Sequence, residues 1–207
     1  MSAPSPANFK KGYLAFQTRE KRDPMYKTAT FLVAHFWGKP AEMADSLGVL
    51  LLTWNQAFYR YGIFDFNRLE ECISKHLPLI DKYRKSSILN YTLADDETIE
   101  HLFEQFLHAL RIREGKKKGT KSPVAVAKAL HLLAPDFFPL WDKKIARAYG
   151  CGYSSNPAAK YLVFLMKSKD IVERLQSTTD AKATGKTLLK LVDEYNYAKY
   201  TLAISNI

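Results

Sequence analysis

The chain has 207 residues, and its 31 lysine and arginine side chains against 21 aspartate and glutamate side chains give a formal net charge of +10 at pH 7. A chain of this length can bury a sizeable core and requires no second domain. Its positive charge favours polyanionic partners such as nucleic acid. The two cysteines, Cys72 and Cys151, are too few for a four-thiolate iron–sulfur cluster or a disulfide framework, so we interpret both as packing thiols in a reducing compartment.

No apolar run reaches the roughly 20 residues that a membrane span requires, and no secretory leader pattern opens the sequence. We therefore expect a cytoplasmic protein without a membrane partner. Helical periodicity recurs along the chain while alternating apolar and polar runs are scarce, which predicts an all-α protein. We expect residues 1–24 to be a partly disordered arm and residues 25–207 to form a single all-α domain.

In the first half of that domain, helices are predicted over residues 26–37, 41–61, 66–76 and 78–83. Gly38 ends the first helix, and Pro40 opens the second. Asp65 has the right chemistry to cap the third helix, and Pro78 begins the short fourth one. These boundaries follow from the punctuating residues and from apolar side chains at helical spacing.

In the second half, helices are predicted over residues 95–110, 123–134, 143–149, 157–166, 170–175 and 187–200. Ser122 and Pro123 together form a favourable helix start, because the hydroxyl accepts an orphan N–H bond and the proline lacks an N–H. Asp142 stands at the capping position of the compact helix that ends at Gly150.

Between two of these helices lies a turn rich in glycine and lysine, Gly115-Lys-Lys-Lys-Gly119-Thr-Lys121, and a later loop reads Pro139-Leu-Trp-Asp142. The segment from Gly115 to Gly150 resembles the core of the helix-hairpin-helix (HhH-GPD) DNA glycosylase superfamily, as a divergent member. Its members carry a glycine hairpin, a helix, a loop with the catalytic aspartate and another helix. The family's Gly-x-Gly hairpin is replaced here by two glycines separated by three lysines.

The resemblance implies two helical lobes around a cleft, with a hairpin-like turn and a catalytic loop within residues 111–150. It implies an enzyme that flips a damaged or modified base out of double-stranded DNA and hydrolyses the N-glycosidic bond, leaving an abasic site. We expect a monomer that uses no cofactor and no metal. The setting is DNA repair or, by family analogy, defence against phage DNA with modified bases.

Asp142 matches the catalytic aspartate of that family. Breaking a base–sugar bond develops positive charge on the deoxyribose, so a carboxylate beneath the ring lowers the barrier and can orient or deprotonate water. The alternative is that Asp142 only caps its helix, a role whose loss typically costs about 1 kcal/mol. The two roles can coexist.

Some members of the family also use a lysine amine as a nucleophile, which forms a Schiff base and leads to strand cleavage. Lys121 lies near the place of that lysine, and Lys128 lies in the middle of the following helix. Solvated or phosphate-binding lysines are commoner, so we favour a monofunctional hydrolytic enzyme.

The glycine-rich turn is expected to hold the DNA backbone, because glycines let N–H groups approach a phosphate and the cations add affinity. The residues predicted to contact DNA here are Arg111, Arg113, Lys116, Lys117, Lys118, Gly119 and Lys121. The alternative is a solvated charged loop. Upstream, the resemblance of residues 50–56 to the family's apolar helix implies that Asn55 or Gln56 fills the gap left by an extruded base.

Trp54, Tyr59 and Trp141 are candidates for the base pocket, because aromatic faces stack on any nucleobase. The alternative for each is an ordinary place in the core. Two further hypotheses remain open for the whole chain. One is a non-catalytic DNA-binding module on the same scaffold, and the other is a helical domain whose basic face meets an acidic protein partner.

Overall fold

The computed structural model describes residues 3–205 and residue 207, apart from the side chain of Lys182. In this described part the chain forms ten α-helices and no strand, which confirms the all-α prediction. The helices are α1 (Pro6–Arg19), α2 (Pro24–His35), α3 (Pro40–Trp54), α4 (Gln56–Tyr59), α5 (Phe66–Arg84), α6 (Asp96–Ala109), α7 (Pro123–Leu133), α8 (Lys143–Ala148), α9 (Pro157–Leu175) and α10 (Leu188–Asn196).

The structure places helix α1 within the predicted N-terminal arm, where the sequence indicated no helix. The hydroxyl of Ser5 caps this helix by accepting a bond from a backbone N–H. Phe9 is fully buried, and its ring centroid lies 5.7 Å from that of Tyr195 in α10. Packing against α10 therefore orders the helix. The first two residues of the predicted arm lie outside the described part.

Two predicted breaks are replaced by continuous helices. Helix α5 runs through Pro78, and α9 runs through residues 167–169. A proline inside a helix removes one backbone hydrogen bond and usually kinks or ends it. In α5, however, Ile73 and Ile80 are fully buried on either side of Pro78, so tertiary packing favours one helix across the proline.

One predicted helix is broken instead. The helix predicted to reach residue 61 ends at Trp54, and α4 follows after Asn55. The backbone N–H of Phe58 donates to the carbonyl of Asn55, while the ammonium of Lys128 donates to the carbonyl of Trp54. A side chain from α7 has therefore taken a backbone acceptor at the helix end, which no local pattern predicts.

Helix α7 is the central element of the fold, because eight of its 11 residues are buried. His131 in this helix is fully buried, with Nδ1 2.7 Å from the Phe138 carbonyl and Nε2 3.0 Å from the Tyr26 hydroxyl. Most of the buried apolar side chains in the described part form one connected core. Cys72 and Cys151 are buried free thiols within it, as the sequence predicts. No helix described here is long and apolar enough to cross a membrane.

Candidate functional site

A cavity of about 500 Å³ lies where α1, α2, α3, α7, α8 and α10 approach one another. Five residues predicted as functional lie in its wall: Trp54, Asn55, Lys128, Trp141 and Asp142. These residues come from three separate stretches of sequence. The folded chain therefore brings the predicted catalytic aspartate, one of the two candidate lysines and two aromatic side chains to one concave surface.

Asp142 contributes a half-buried carboxylate to the cavity wall. Its Oδ1 accepts a 2.7 Å hydrogen bond from the backbone N–H of Ile145, which confirms that Asp142 caps α8. Its Oδ2 accepts a 2.7 Å hydrogen bond from the hydroxyl of Thr201. Each carboxylate oxygen can accept a further bond. The helix cap and a chemical role are therefore compatible in this geometry.

Lys128 extends from α7 into the same cavity. Its Nζ donates 2.9 Å hydrogen bonds to the Trp54 carbonyl and to Oδ1 of Asn55, and it lies 4.6 Å from the centroid of the Trp54 ring. Burial lowers the pKa of Lys128 to about 8, although the charges of Asp193 and Asp142 oppose this shift. A lysine in this environment releases its proton more readily than a solvated one.

Lys121, the other candidate amine, does not line the cavity. It is exposed, and its Nζ lies 3.4 Å from Nε2 of His108. The structure therefore places Lys128, and not Lys121, in one wall with Asp142.

The cavity wall contains a buried ion-pair cluster of Lys190, Asp193 and Asp23 that the sequence did not indicate. Lys190 is 1% exposed, and its Nζ lies 3.0 Å from Oδ2 of Asp193 and 3.6 Å from Oδ2 of Asp23. Burial alone would lower the pKa of Lys190, but the neighbouring carboxylates outweigh burial and raise it. A Lys–Asp pair three residues apart usually lies on a solvated helix face, so the spacing gave no signal of burial.

The charged side chains of the cavity wall are the carboxylates of Glu20, Asp23, Asp142 and Asp193 and the ammonium groups of Lys128 and Lys190. The wall is thus acidic on balance, although the whole chain carries a formal charge of +10. An acidic wall suits a reacting group that gains positive charge. Any polyanion that reaches this cavity must be held by other, cationic surfaces.

The two side-chain amides predicted to enter the DNA stack, those of Asn55 and Gln56, differ in their hydrogen bonds. Oδ1 of Asn55 accepts the bond from Lys128, and its Nδ2 donates to the hydroxyl of Ser122 at 3.3 Å. Gln56 is exposed at the first position of α4. Insertion of Asn55 into DNA would break both of its bonds, whereas Gln56 has no such bond to break in the described structure.

The three aromatic candidates for the base pocket differ in exposure and in their position relative to the cavity. Trp54 is half-buried in the cavity wall, whereas Trp141 is 1% exposed and its Nε1 donates to the Pro123 carbonyl at 3.2 Å. Tyr59 does not line the cavity: it is buried, and its hydroxyl donates to the Leu110 carbonyl at 3.0 Å. The base-pocket role predicted for Tyr59 is therefore corrected to a core role. Only Trp54 presents a substantial aromatic surface among the three.

Backbone hydrogen bonds within the turn between α6 and α7 stabilise its conformation. The N–H of Gly119 donates to the Ile112 carbonyl at 2.8 Å, and the N–H of Ile112 donates to the Thr120 carbonyl at 3.0 Å. The N–H groups of Lys118 and Thr120 also donate to carbonyls within the turn. The prediction that the Gly119 amide meets a phosphate is therefore corrected, because this amide already has an internal acceptor.

Gly115 sets the position of the turn. Its φ is +94°, and a Cβ added there would lie 2.3 Å from the carbonyl oxygen of Tyr61, so only glycine fits this contact. The three lysines that follow Gly115 are exposed. The ammonium of Lys117 lies 5.5 Å from the ring centroid of Tyr61, which is itself 51% exposed.

Within the described residues, no group of three or more histidine, cysteine, aspartate or glutamate side chains is arranged to hold a metal ion. Comparisons of the chain with protein-family models, with curated proteins and with solved structures found no match.

Proposed function

We propose that the protein is a DNA glycosylase-like enzyme that hydrolyses the N-glycosidic bond of a damaged or modified base in duplex DNA and leaves an abasic site. The observation that carries this proposal is the position of Asp142, whose carboxylate lies in the wall of a cavity beside Lys128 and Trp54. The order of motifs from the glycine turn to Asp142 supports the same assignment.

Asp142 supplies the negative charge that the reaction requires. Departure of the base leaves positive charge on the deoxyribose, and an oriented carboxylate stabilises this charge and directs a water molecule to the sugar. The hydrogen bonds from Ile145 and Thr201 hold the carboxylate in one orientation. The wall as a whole has four carboxylates against two ammonium groups, a balance that also favours a cationic transition state.

The cavity is of a suitable size for a single extruded nucleotide. Its volume of about 500 Å³ falls within the range of about 300 to 1,000 Å³ that is typical of small-molecule sites. The half-buried ring of Trp54 offers an aromatic surface to the base. Extrusion costs a few kcal/mol and is cheapest for weakened pairs, so a lesion adds its own selectivity.

The environment of Lys128 favours a second candidate activity. Its neutral amine attacks C1′ of the deoxyribose, the bond to the base breaks and the base leaves with a proton, and the sugar ring opens to a Schiff base before the strand is cut. The supporting observation is the lowered pKa of about 8 in a cavity shared with Asp142. Hydrolysis remains our principal proposal, because the Lys128 ammonium is already bound to two acceptors. Borohydride trapping separates the two activities: a covalent complex lost in Lys128→Met and retained in Lys121→Met would establish the lysine mechanism.

The principal proposal is tested with a panel of duplexes, each carrying one oxidised, deaminated, alkylated, hydroxymethylated or glucosylated base. Alkali cleaves the DNA wherever an abasic site has formed. We expect product from at least one duplex with the wild-type protein and with Asp170→Asn, a control at an exposed position of α9. The Asp142→Asn variant should give almost none.

Other outcomes of this panel would favour the rival functions. Salt-sensitive binding of duplex DNA without an abasic product from any duplex would indicate a non-catalytic binding module. Weak binding of DNA that is insensitive to salt would indicate a protein-interaction domain, because phosphate contacts release counterions.

A further inference from the structure

The C-terminal part of the chain supplies one wall of the cavity that contains Asp142. Helix α10 and the π-helical segment that follows it, Tyr197–Thr201, place four side chains in that wall: Lys190, Asp193, Tyr197 and Thr201. Because these residues are three or four positions apart, they lie on one helical face, which we call the C-terminal face. The sequence indicated none of its members, since all of them lie outside the segment from Gly115 to Gly150.

Tyr197 brings a second accessible aromatic ring to the cavity, besides that of Trp54. Its side chain lines the cavity and is 36% exposed. The centroid of its ring lies 5.8 Å from that of Phe16 in α1, and the two rings are nearly perpendicular, which is a favourable edge-to-face contact. Within the described residues, the hydroxyl of Tyr197 makes no hydrogen bond. This hydroxyl is therefore available to a ligand.

The charges around Tyr197 determine how its hydroxyl can bond. Burial raises the pKa of Tyr197, and the negative charges of Asp142, Asp193 and Glu20 raise this pKa further. The hydroxyl is therefore neutral near pH 7. The same carboxylates attract the hydrogen end of the O–H dipole. The lone pairs of the oxygen are then left to accept a hydrogen bond from a ligand.

The rest of the cavity wall also offers acceptors more readily than donors. Several of its side chains already donate hydrogen bonds to acceptors within the protein: Asn55, Lys128, Trp141, Lys190 and Thr201. The four carboxylates of the wall, in contrast, have about four lone-pair sites each and keep free acceptor capacity. A ligand that presents N–H donors therefore complements this wall.

We propose that the C-terminal face selects an extruded base with an exocyclic amino group, whose N–H donates to the hydroxyl oxygen of Tyr197. An adenine-type or cytosine-type base carries such a donor. A hypoxanthine-type or uracil-type base carries a carbonyl oxygen there instead, which would meet the lone pairs and carboxylates of the wall without a partner. The placement of this base in DNA rests on the proposed function, whereas the preference for an amino group rests on the cavity wall alone.

The first test compares duplexes in matched pairs that differ only in this group: 5-hydroxymethylcytosine with 5-hydroxymethyluracil, their two glucosylated forms, and 8-oxoadenine with 8-oxohypoxanthine. Tyr197→Phe should slow single-turnover excision of the amino-bearing base roughly tenfold and change excision of its carbonyl counterpart by less than about twofold. Comparison within each pair cancels the different intrinsic reactivities of the two bases. Tyr61→Phe is the matched control, because this tyrosine is 51% exposed and does not line the cavity.

The outcomes of this test separate the inference from the proposed function. If Tyr197→Phe slows neither member of a pair, or slows both equally, the inference is overturned while the glycosylase activity stands. Excision of carbonyl-bearing bases alone would overturn it as well. Where any duplex is processed, this test is decisive.

The second test requires no excision. Free adenine, cytosine, hypoxanthine and uracil are titrated into the protein, and the indole N–H signal of Trp54 in the cavity wall reports binding by NMR. We expect adenine or cytosine to shift this signal, their carbonyl counterparts to leave it unchanged, and Tyr197→Phe to reduce the shift. If the amino-bearing bases bind in this way but no duplex yields an abasic site, the inference holds and the proposed function fails. If no duplex is processed and no free base shifts the signal, both are overturned.

Discussion

The hydroxyl of Thr201 donates a 2.7 Å hydrogen bond to Oδ2 of Asp142, although 59 residues separate the two. Thr201 ends the π-helical segment Tyr197–Thr201 that follows α10. Its carbonyl accepts a 3.0 Å bond from Nζ of Lys144 in α8. The C-terminal segment therefore holds both α8 and the carboxylate that begins it. The orientation of the candidate catalytic group depends on a residue far outside the motif that identified it.

Replacement of Thr201 by valine removes this hydroxyl and conserves the shape of the side chain. We expect base excision to slow roughly tenfold, because the carboxylate loses one of its two fixed bonds. The free energy of unfolding should fall by about 1 kcal/mol. Single-turnover excision and urea unfolding measure the two effects. Thr201→Ser keeps the hydroxyl and should restore the rate, and a normal rate in the valine variant would show that Asp142 needs no such support.

Two glycines of the turn form a matched pair for testing its geometry. Both have positive φ, +94° for Gly115 and +84° for Gly119. A Cβ at Gly119 would meet no atom within 4 Å, whereas one at Gly115 would collide with the Tyr61 carbonyl. We expect Gly119→Ala to cost about 1 kcal/mol of stability and Gly115→Ala about 2 kcal/mol more. Equal costs in urea unfolding would contradict the described contact between the turn and Tyr61.

The lowered pKa of Lys128 predicts a pH dependence of stability. The pKa of Lys128 is about 8 in the folded chain, and the usual lysine pKa of about 10.4 applies in the unfolded chain. Between these two pH values the unfolded chain binds a proton that the folded chain has released. Stability should therefore rise with pH in this window. Below pH 8 Lys128 is protonated in both states, so the free-energy cost of burying its charge does not change with pH.

Urea unfolding of wild type and Lys128→Met isolates this effect, because the other titrating groups are shared. The difference in unfolding free energy, wild type minus variant, should increase between pH 8 and 10 with a slope of at most about 1.4 kcal/mol per pH unit. A difference that does not change with pH would mean that the amine is solvated.

The all-α fold could be predicted because the residues that begin and end helices act on the backbone next to them. Ser122 accepts the bond from the Ala125 N–H at the start of α7, and Asp142 does the same for α8. Helix α1 was missed although Phe9 and Tyr13 have helical spacing, because their burial depends on packing against α10 and the segment that follows it. The break at Asn55 was missed because the group that competes for the backbone comes from another helix.

The candidate site could be predicted only in part, because several of its contacts join residues that are far apart in the sequence. The order of motifs identified Asp142 and left Lys121 and Lys128 as candidate amines, and of these two only Lys128 shares a cavity wall with Asp142. The contacts of Lys190 with Asp23 and of Thr201 with Asp142 join distant parts of the chain. Such pairings depend on how helices pack, and a single sequence does not reveal them. The burial of Tyr59 was not predicted, because its hydroxyl bonds to the carbonyl of Leu110, which lies 51 residues further along the chain.

The most direct test of the account is the single-turnover excision rate of Asp142→Asn on the best duplex substrate. Asparagine caps helices about as well as aspartate, so this change removes the charge while keeping the cap. We predict a rate at least about 100-fold below wild type, with the melting temperature changed by no more than about 2 °C. A wild-type rate in this variant would contradict the assignment of Asp142 as the catalytic carboxylate.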